Sequence, residues 1–319
     1  MSYGRAEQCS VDSVSTSPDE SGRIIGDRYY LLRRVGRGGC GVVYMAEDLA
    51  RDVPVAVKVA RRTNSRTVRD FQNEAAQLSA TTHPHVVQFH ELGHLPDGRP
   101  FIVLEWISGL SLETLVSNSP IVLAEALIVA GRTADVLVAL HARAVLHADI
   151  KPRNLIVPTT AQGTPRLEDV KIIDFGITRE MTSRGERGEL CTDFGYHAGT
   201  PDYMAPEQMS GRRQGTATDL FGLGATLFFM LYRRPPMGES TDEIPRVALS
   251  LPRAPALMMG PFITRRLTEE VQLPMEPDYP APVKTLLTHL LRRDPGERIQ
   301  SAVEARERIA HLEAVALHV

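Results

Sequence analysis

Three glycines, Gly36, Gly38 and Gly41, stand at G-x-G-x-x-G spacing in the stretch "VGRGGCGVVY". Residues without a Cβ let the backbone approach phosphate oxygens closely and turn where other residues would clash. The same spacing opens dinucleotide-binding folds and also occurs in ordinary glycine hairpins, so the glycines alone name no chemistry. The next residues remove one alternative. In a dinucleotide fold the third glycine opens a helix, whereas Gly41 leads into the β-branched run "VVYMAED". The loop therefore reads as a strand-to-strand hairpin able to cover a nucleotide from above. One strand further on, "VAVK" supplies Lys58, whose ammonium could pair with a nucleotide's phosphates if a carboxylate held it. Glu74, in the helical stretch that follows, is the natural partner. A solvated lysine and a solvated glutamate are the commoner fates of both residue types, so this pairing needs support from elsewhere.

The elements that would carry these residues are legible in the pattern. "YYLLRRVG", "GVVYMAED" and "VPVAVKVAR" alternate and are punctuated by turn residues, which predicts an antiparallel meander. "RTVRDFQNEAAQLSAT" puts Val68, Phe71, Ala75 and Leu78 on one helical stripe, and "VVQFHELG" and "PFIVLEW" read as two further strands. From Leu112 the pattern turns helical: "LAEALIVAGRTADVLVALHARA", then Thr218 to Tyr232, Pro282 to Arg292 and Ser301 to Ala316. The expectation is an α+β chain with a disordered polar tail at 1–26, a β-rich lobe at 27–106 and a mostly helical lobe at 107–319. The proline-rich stretch Pro235 to Pro282 yields no clear elements.

In this order, the glycine loop, "VAVK" and the helix glutamate resemble a eukaryotic-type protein Ser/Thr kinase, and the helical lobe extends the likeness. "HADIKPRN" (His147 to Asn154) is similar to that family's catalytic loop. The resemblance implies Asp149 as catalytic base, Lys151 near the γ-phosphate and Asn154 as a metal ligand. Phosphoryl transfer asks for little covalent chemistry. It needs a hydroxyl held in line, a carboxylate to take its proton and cations to absorb charge on the phosphoryl oxygens. "APE" (Ala205 to Glu207), "TDLFGLGATL" with Asp219 and "RRDPGERI" with Arg298 follow in the family's order. They imply a buried Glu207–Arg298 ion pair and an Asp219 that ties the catalytic-loop backbone. Carried over residue by residue, the likeness implies that Val43, Ala56 and Ile156 sandwich adenine, that Leu104 guards the back of the pocket, and that Glu105 and Ile107 offer it backbone groups. Leu78, Phe89, Phe175 and His147 would stack between the lobes. The likeness covers residues 27 to about 313 and is greatest to soluble bacterial members. It implies a bilobal kinase fold, ATP with Mg²⁺ (Mn²⁺ as the alternative ion), and Ser/Thr protein substrates that include the chain itself.

Two D-F-G triplets compete for the metal-binding post, at Asp174 and, 19 residues later, at Asp193. Asp174 follows the apolar strand "VKII", whereas Asp193 follows "GELCT" and leaves only 12 residues before Ala205. The family's activation segment needs more chain than that, so Asp174 is the expected magnesium ligand and Asp193-Phe194-Gly195 a local turn. The chain departs from the family in reading His147-Ala148-Asp149, with alanine where arginine is usual. That arginine generally receives an activation-segment phosphate. Its loss predicts activity without strict dependence on such a phosphate, with Arg179 the one cation left nearby and Thr182, Ser183 and Thr192 as autophosphorylation candidates. Thr200 is expected to contact Asp149 and Lys151. The long segment from Asn154 to Asp174 reads as an enlarged surface hairpin.

Bulk properties set the alternatives. Hydrophobic residues make up 43% and charged residues 24% of 319, with a net charge of −3. No basic field invites nucleic acid, no apolar run spans a bilayer, and Cys9, Cys40 and Cys191 have no metal-ligand spacing. Cytoplasmic residence, with no membrane or nucleic-acid partner, is the expectation. A pseudokinase acting as a nucleotide- or partner-binding module is the second reading. A small-molecule phosphotransferase is the third, disfavoured by "APE" and the Asp219 helix.

Overall fold

A computed structural model of the chain describes residues 19–38, 41–175, 179–180, 201–238 and 264–316. Strands β1 (Ile24–Ile25), β2 (Tyr29–Arg37), β3 (Gly41–Asp48), β4 (Val53–Ala60), β5 (Phe89–His94) and β6 (Pro100–Glu105) form one antiparallel sheet in the order β1-β2-β3-β4-β6-β5. Period-two burial explains why these runs are strands. Val42, Tyr44 and Ala46 of β3 and Val55, Val57 and Val59 of β4 are buried, while Val43, Ala56 and Lys58 between them are half-buried. The register pairs Val43 with Lys58, and Ala56 with Leu104. Side chains directly opposite one another share a face, so the four residues lie on one side of the sheet.

Helix α1 (Ser65–Ala80) begins where the Asn64 side chain accepts a hydrogen bond from Thr67 N at 2.8 Å. Its buried stripe is Phe71, Glu74, Ala75 and Leu78, with Val68 half-buried one turn earlier. A glutamate on that stripe demands a partner, which fixes where the helix can dock.

The helical lobe contains α2 (Leu112–Asn118), α3 (Leu123–His141), α4 (Pro206–Met209), α5 (Thr216–Tyr232), α6 (Ala281–Leu290) and α7 (Ala302–Ala316). Helix α5 is apolar around nearly its whole circumference and is buried from Ala217 to Leu231, as a central helix must be. Its small residues allow close packing, since a Cβ on Gly224 would lie 2.6 Å from Leu290 Cβ. Short strands β7 (Gly109–Ser111), β9 (Leu155–Pro158) and β10 (Lys171–Ile172) form a second sheet, and β8 (Val145–Leu146) pairs with β11 (Arg179–Glu180). The connection from β9 to β10 is the expected surface excursion, closed by Thr160 N donating to Thr164 O. Two backbone bonds, Val87 N to Ile172 O and Ile172 N to His85 O, both 2.9 Å, tie the segment before β5 to β10.

One boundary moves. Residues 19–26 were expected within a disordered tail, yet β1 pairs with the start of β2 and Gly22 N donates to Leu31 O at 2.7 Å. Glu20 is 1% exposed, its carboxylate accepts from Arg23 and Arg99, and its N–H donates to Tyr44 Oη at 3.2 Å. Polar composition concealed this segment because a buried ion pair has no hydropathy signature. Residues 1–18, which hold Cys9 and the tail serines, lie outside the described residues, as do 239–263 of the proline-rich stretch; 264–268 are helical. Among the described residues, no helix is long and apolar enough to cross a membrane.

Candidate active site

Three charged side chains from three separate elements converge beneath the sheet. Lys58 Nζ on β4 lies 2.7 and 2.8 Å from the two carboxylate oxygens of Glu74 on α1, and 3.1 Å from Asp174 Oδ1 just after β10. Glu74 is almost fully buried, so the lysine supplies the counter-charge its stripe position requires. Burial alone would pull the Lys58 pKa down, but Asp174 and Glu74 outweigh it and hold the ammonium above the ordinary lysine range. Lys58 is therefore charged at any working pH. Asp174 remains more exposed, at 37%, than either partner.

A second set gathers on the loop after β8. Lys151 Nζ contacts both Asp149 oxygens at 2.8 and 2.7 Å, and Asn154 Nδ2 donates to Asp149 Oδ2 at 2.9 Å and to Asp149 O at 3.0 Å. Burial pushes the Asp149 carboxyl up from its usual range, with the Lys151 ammonium opposing it. His147 is fully buried, its ring 4.9 Å from that of Phe175, and burial lowers its pKa. Its Nδ1 accepts from Asp149 N at 3.2 Å, so this histidine packs and positions. Leu78 and Phe175 belong to the same buried core, with Phe89 against it.

The backbone of this loop is strained. Ala148 has φ +61°, a left-handed conformation that costs a residue with a Cβ about 1–2 kcal/mol. Asp219 compensates from inside α5: its carboxylate accepts from His147 N at 3.0 Å, Ala148 N at 2.6 Å and His141 Nε2 at 2.8 Å. The expected tie between Asp219 and the loop is thus present. So is the other structural pair, with Arg298 donating to Glu207 at 2.7 and 2.8 Å in a site buried on both sides. Gln208, absent from the sequence reading, lies between these two features. Its Oε1 accepts from Ala205 N at 2.9 Å and its Nε2 donates to Ala148 O at 2.8 Å. Only its place at the third position of α4, where a capping-box glutamine sits, hinted at the first of these bonds.

The residues assigned to adenine form a partial set. Val43, Ala56, Glu105, Ile107 and Ile156 are all half-buried, while strand neighbours Val42, Val57, Leu155 and Val157 are buried. Glu105 differs from expectation in detail. Its N–H already donates to Gln88 O at 2.9 Å, and its carboxylate accepts from Gln88 N and Lys171 Nζ. Bonds to the backbone of Gln88, just before edge strand β5, and an ion pair to Lys171, neither readable locally, occupy these groups. In the glycine loop, Gly38 N donates to Gly41 O at 2.9 Å. Gly41 requires glycine, because a Cβ there would meet Val59 O at 2.8 Å. Among the described residues, a Cβ on Gly36 or Gly38 would meet nothing closer than 3.8 Å. Cys40, Cys191, Thr182, Ser183, Thr192, Thr200 and the second D-F-G lie outside the described residues, and for Arg179 only the backbone is described.

Residues 29–311 match the family model of the protein kinase domain. The serine/threonine-protein kinase pkn3 of Myxococcus xanthus is 31% identical over 293 residues, covering 88% of this chain and 49% of that protein. PrkC of Bacillus subtilis, also named a serine/threonine-protein kinase, is 29% identical over 286 residues, covering 88% and 40%. PknK of Mycobacterium tuberculosis reaches 37% over 203 residues, covering 63% and 17%. The chain spans half or less of the length of these relatives.

Proposed function

We propose, since the chain belongs to the protein kinase family, that it transfers the γ-phosphoryl group of Mg-ATP to serine and threonine hydroxyls of proteins. The observation that carries this reading is the presence of two charge sets in working contact, Lys58–Glu74–Asp174 and Asp149–Lys151–Asn154. A binding module that had lost transfer would not need both. Magnesium fits the donor set, because Asp174 offers a carboxylate, and Asn154, with Nδ2 committed to Asp149, has in its carboxamide oxygen a hard donor suited to the ion. When bound, the ion would neutralise charge on the phosphate oxygens; Mn²⁺ could substitute.

The chain's own residues would then act as follows. Val43, Ala56, Ile107 and Ile156 enclose the adenine, and the Ile107 backbone with the Glu105 carbonyl side of the linker orients it. Gly36 and Gly38 let the loop backbone come down on the phosphates. Lys58, fixed by Glu74, pairs with the α and β phosphates. Asp149 orients the acceptor hydroxyl and takes its proton as the oxygen–phosphorus bond forms and the bond from the γ-phosphorus to the β,γ-bridging oxygen breaks. ADP carries away the electron pair. Lys151 offsets negative charge on the transferring group. A raised Asp149 pKa suits a base that must hold the proton.

Phosphosite mapping by mass spectrometry after incubation with Mg-ATP tests this, with wild type beside Asp149→Asn, Asp174→Asn and Asp193→Asn. Phosphoserine or phosphothreonine in wild type and Asp193→Asn, and none in the other two, is the expected result. No phosphate on the protein or on a generic Ser/Thr substrate in any sample would overturn the reading in favour of a nucleotide-binding pseudokinase.

A further inference from the structure

We propose that Gln208 is a positioning residue for the catalytic aspartate, clamping the peptide group that joins Ala148 to Asp149; the inference rests on the kinase reading above. Ala148 sits at φ +61° and its methyl group offers no polar anchor, so only its backbone groups can be gripped. Asp219 holds the preceding peptide through Ala148 N. The peptide that follows is held at both ends, its carbonyl by Gln208 Nε2 at 2.8 Å and its N–H by His147 Nδ1 at 3.2 Å. Two consecutive peptide planes are thereby fixed by three side chains, one from α5, one from α4 and one from the loop itself, and their orientation sets the direction of the Asp149 Cα–Cβ bond. Gln208 is the only one of the three that reaches the loop from α4. Its carboxamide is oriented by complementarity, since Oε1 faces a donor at Ala205 N and Nε2 faces an acceptor at Ala148 O. The residue therefore ties the start of α4 to the base across 60 positions of chain.

Gln208→Glu separates this clamp from simple helix capping. A carboxylate still accepts from Ala205 N but cannot donate to Ala148 O until it is protonated. It would border a space lined by Asp149, Lys151 and Tyr203, with Asp219 and His147 behind Ala148 and Glu207, paired with Arg298, beside it on α4. Asp149 and Asp219 favour its protonation and Lys151 opposes it.

The experiment measures kcat and the KM for ATP between pH 5.5 and 8 for wild type, Gln208→Glu and Gln208→Met, each also with Ala148→Gly. At pH 8 the Glu variant should lose roughly tenfold in kcat, the value of one charge-opposed hydrogen bond, with KM within about twofold. Its ratio to wild type should recover toward acid pH, which cancels the titration of Asp149 itself, while the Met ratio stays low and flat. Ala148→Gly should shrink the Glu deficit, because glycine holds φ +61° without strain. Full activity of Gln208→Glu at pH 8, or a deficit unchanged by pH and by Ala148→Gly, would overturn the clamp. If wild type transfers no phosphate, the kinase reading fails separately and melting temperatures decide the clamp. Gln208→Glu should then lower Tm less in the Ala148→Gly background, and equal drops would refute it.

Discussion

The ion pair between Glu207 and Arg298 offers the sharpest quantitative test of how the helical lobe is held. The Arg298 side chain has no solvent exposure and that of Glu207 only 3%. The guanidinium makes two bonds to the carboxylate and three to the carbonyls of Ala217, Arg292 and Arg293, at 2.8, 2.6 and 3.0 Å. It also lies 4.9 Å from the Phe221 ring centroid, and Thr218 Oγ1 donates to Glu207 Oε1. Glu207→Ala strands a buried positive charge that keeps its three carbonyls, so about 3–5 kcal/mol should be lost. At roughly 2 °C per kcal/mol for a domain of this size, the melting temperature should fall by about 6–10 °C. Arg298→Met should cost more, because it strands a carboxylate and also leaves three carbonyls without a donor at about 1 kcal/mol each. Replacing both residues by apolar ones should cost less than the sum of the two single changes by about 2 kcal/mol or more, since neither charge is then left alone. Urea and thermal unfolding of the four proteins measure all three quantities. Single variants losing under about 1 kcal/mol, or a double variant matching the sum, would refute the assignment of a coupled buried pair.

Other consequences concern the site. Asp149→Asn should lower kcat by roughly 10²–10⁴-fold while a fluorescent nucleotide still binds with near wild-type affinity; lost binding would mean that Asp149 supports the fold instead. Because burial raises the Asp149 pKa and Lys151 opposes the rise, activity should be complete above that pKa and fall as pH drops through it. Lys151→Met should move this acid limb to higher pH, and a limb that moves to lower pH contradicts the assignment. A Cβ on Gly222 would meet Ile150 O at 2.9 Å and Ile150 Cβ at 3.0 Å, so Gly222→Ala should cost about 1–3 kcal/mol and reduce kcat by displacing the catalytic loop from α5. Since Ala148 cannot receive a phosphate, fully dephosphorylated and autophosphorylated protein should turn over at comparable rates; a gap of about a hundredfold would show that another cation takes the arginine's place.

Short-range patterns carried most of the architecture. The alternation of β3 and β4, the stripe of α1 and the apolar circumference of α5 are all local, and the strands and helices they predicted occur within a few residues of the expected bounds. Motif spacing likewise pointed to residues of both charge sets, among them Asp174, whose carboxylate lies 3.1 Å from Lys58 although 116 residues separate them. What local pattern could not supply was the partner of a polar group when that partner lies far along the chain. Glu20 looked like tail because its arginine, Arg99, is 79 residues away. The Glu105 N–H looked free because its acceptor, the carbonyl of Gln88 just before edge strand β5, is 17 residues away.

Alanine before Asp149 could be read only as a missing arginine. That its backbone is left-handed, and that Asp219 and Gln208 grip it from α5 and α4, depends on where two helices come to rest once their apolar faces are buried. The sequence by itself determined which residues could do the chemistry, because residue type and spacing are written in it directly. Tertiary structure alone decided which backbone strain is tolerated and which side chains grip the backbone around Asp149, because those depend on contacts between elements that no single stretch of chain encodes.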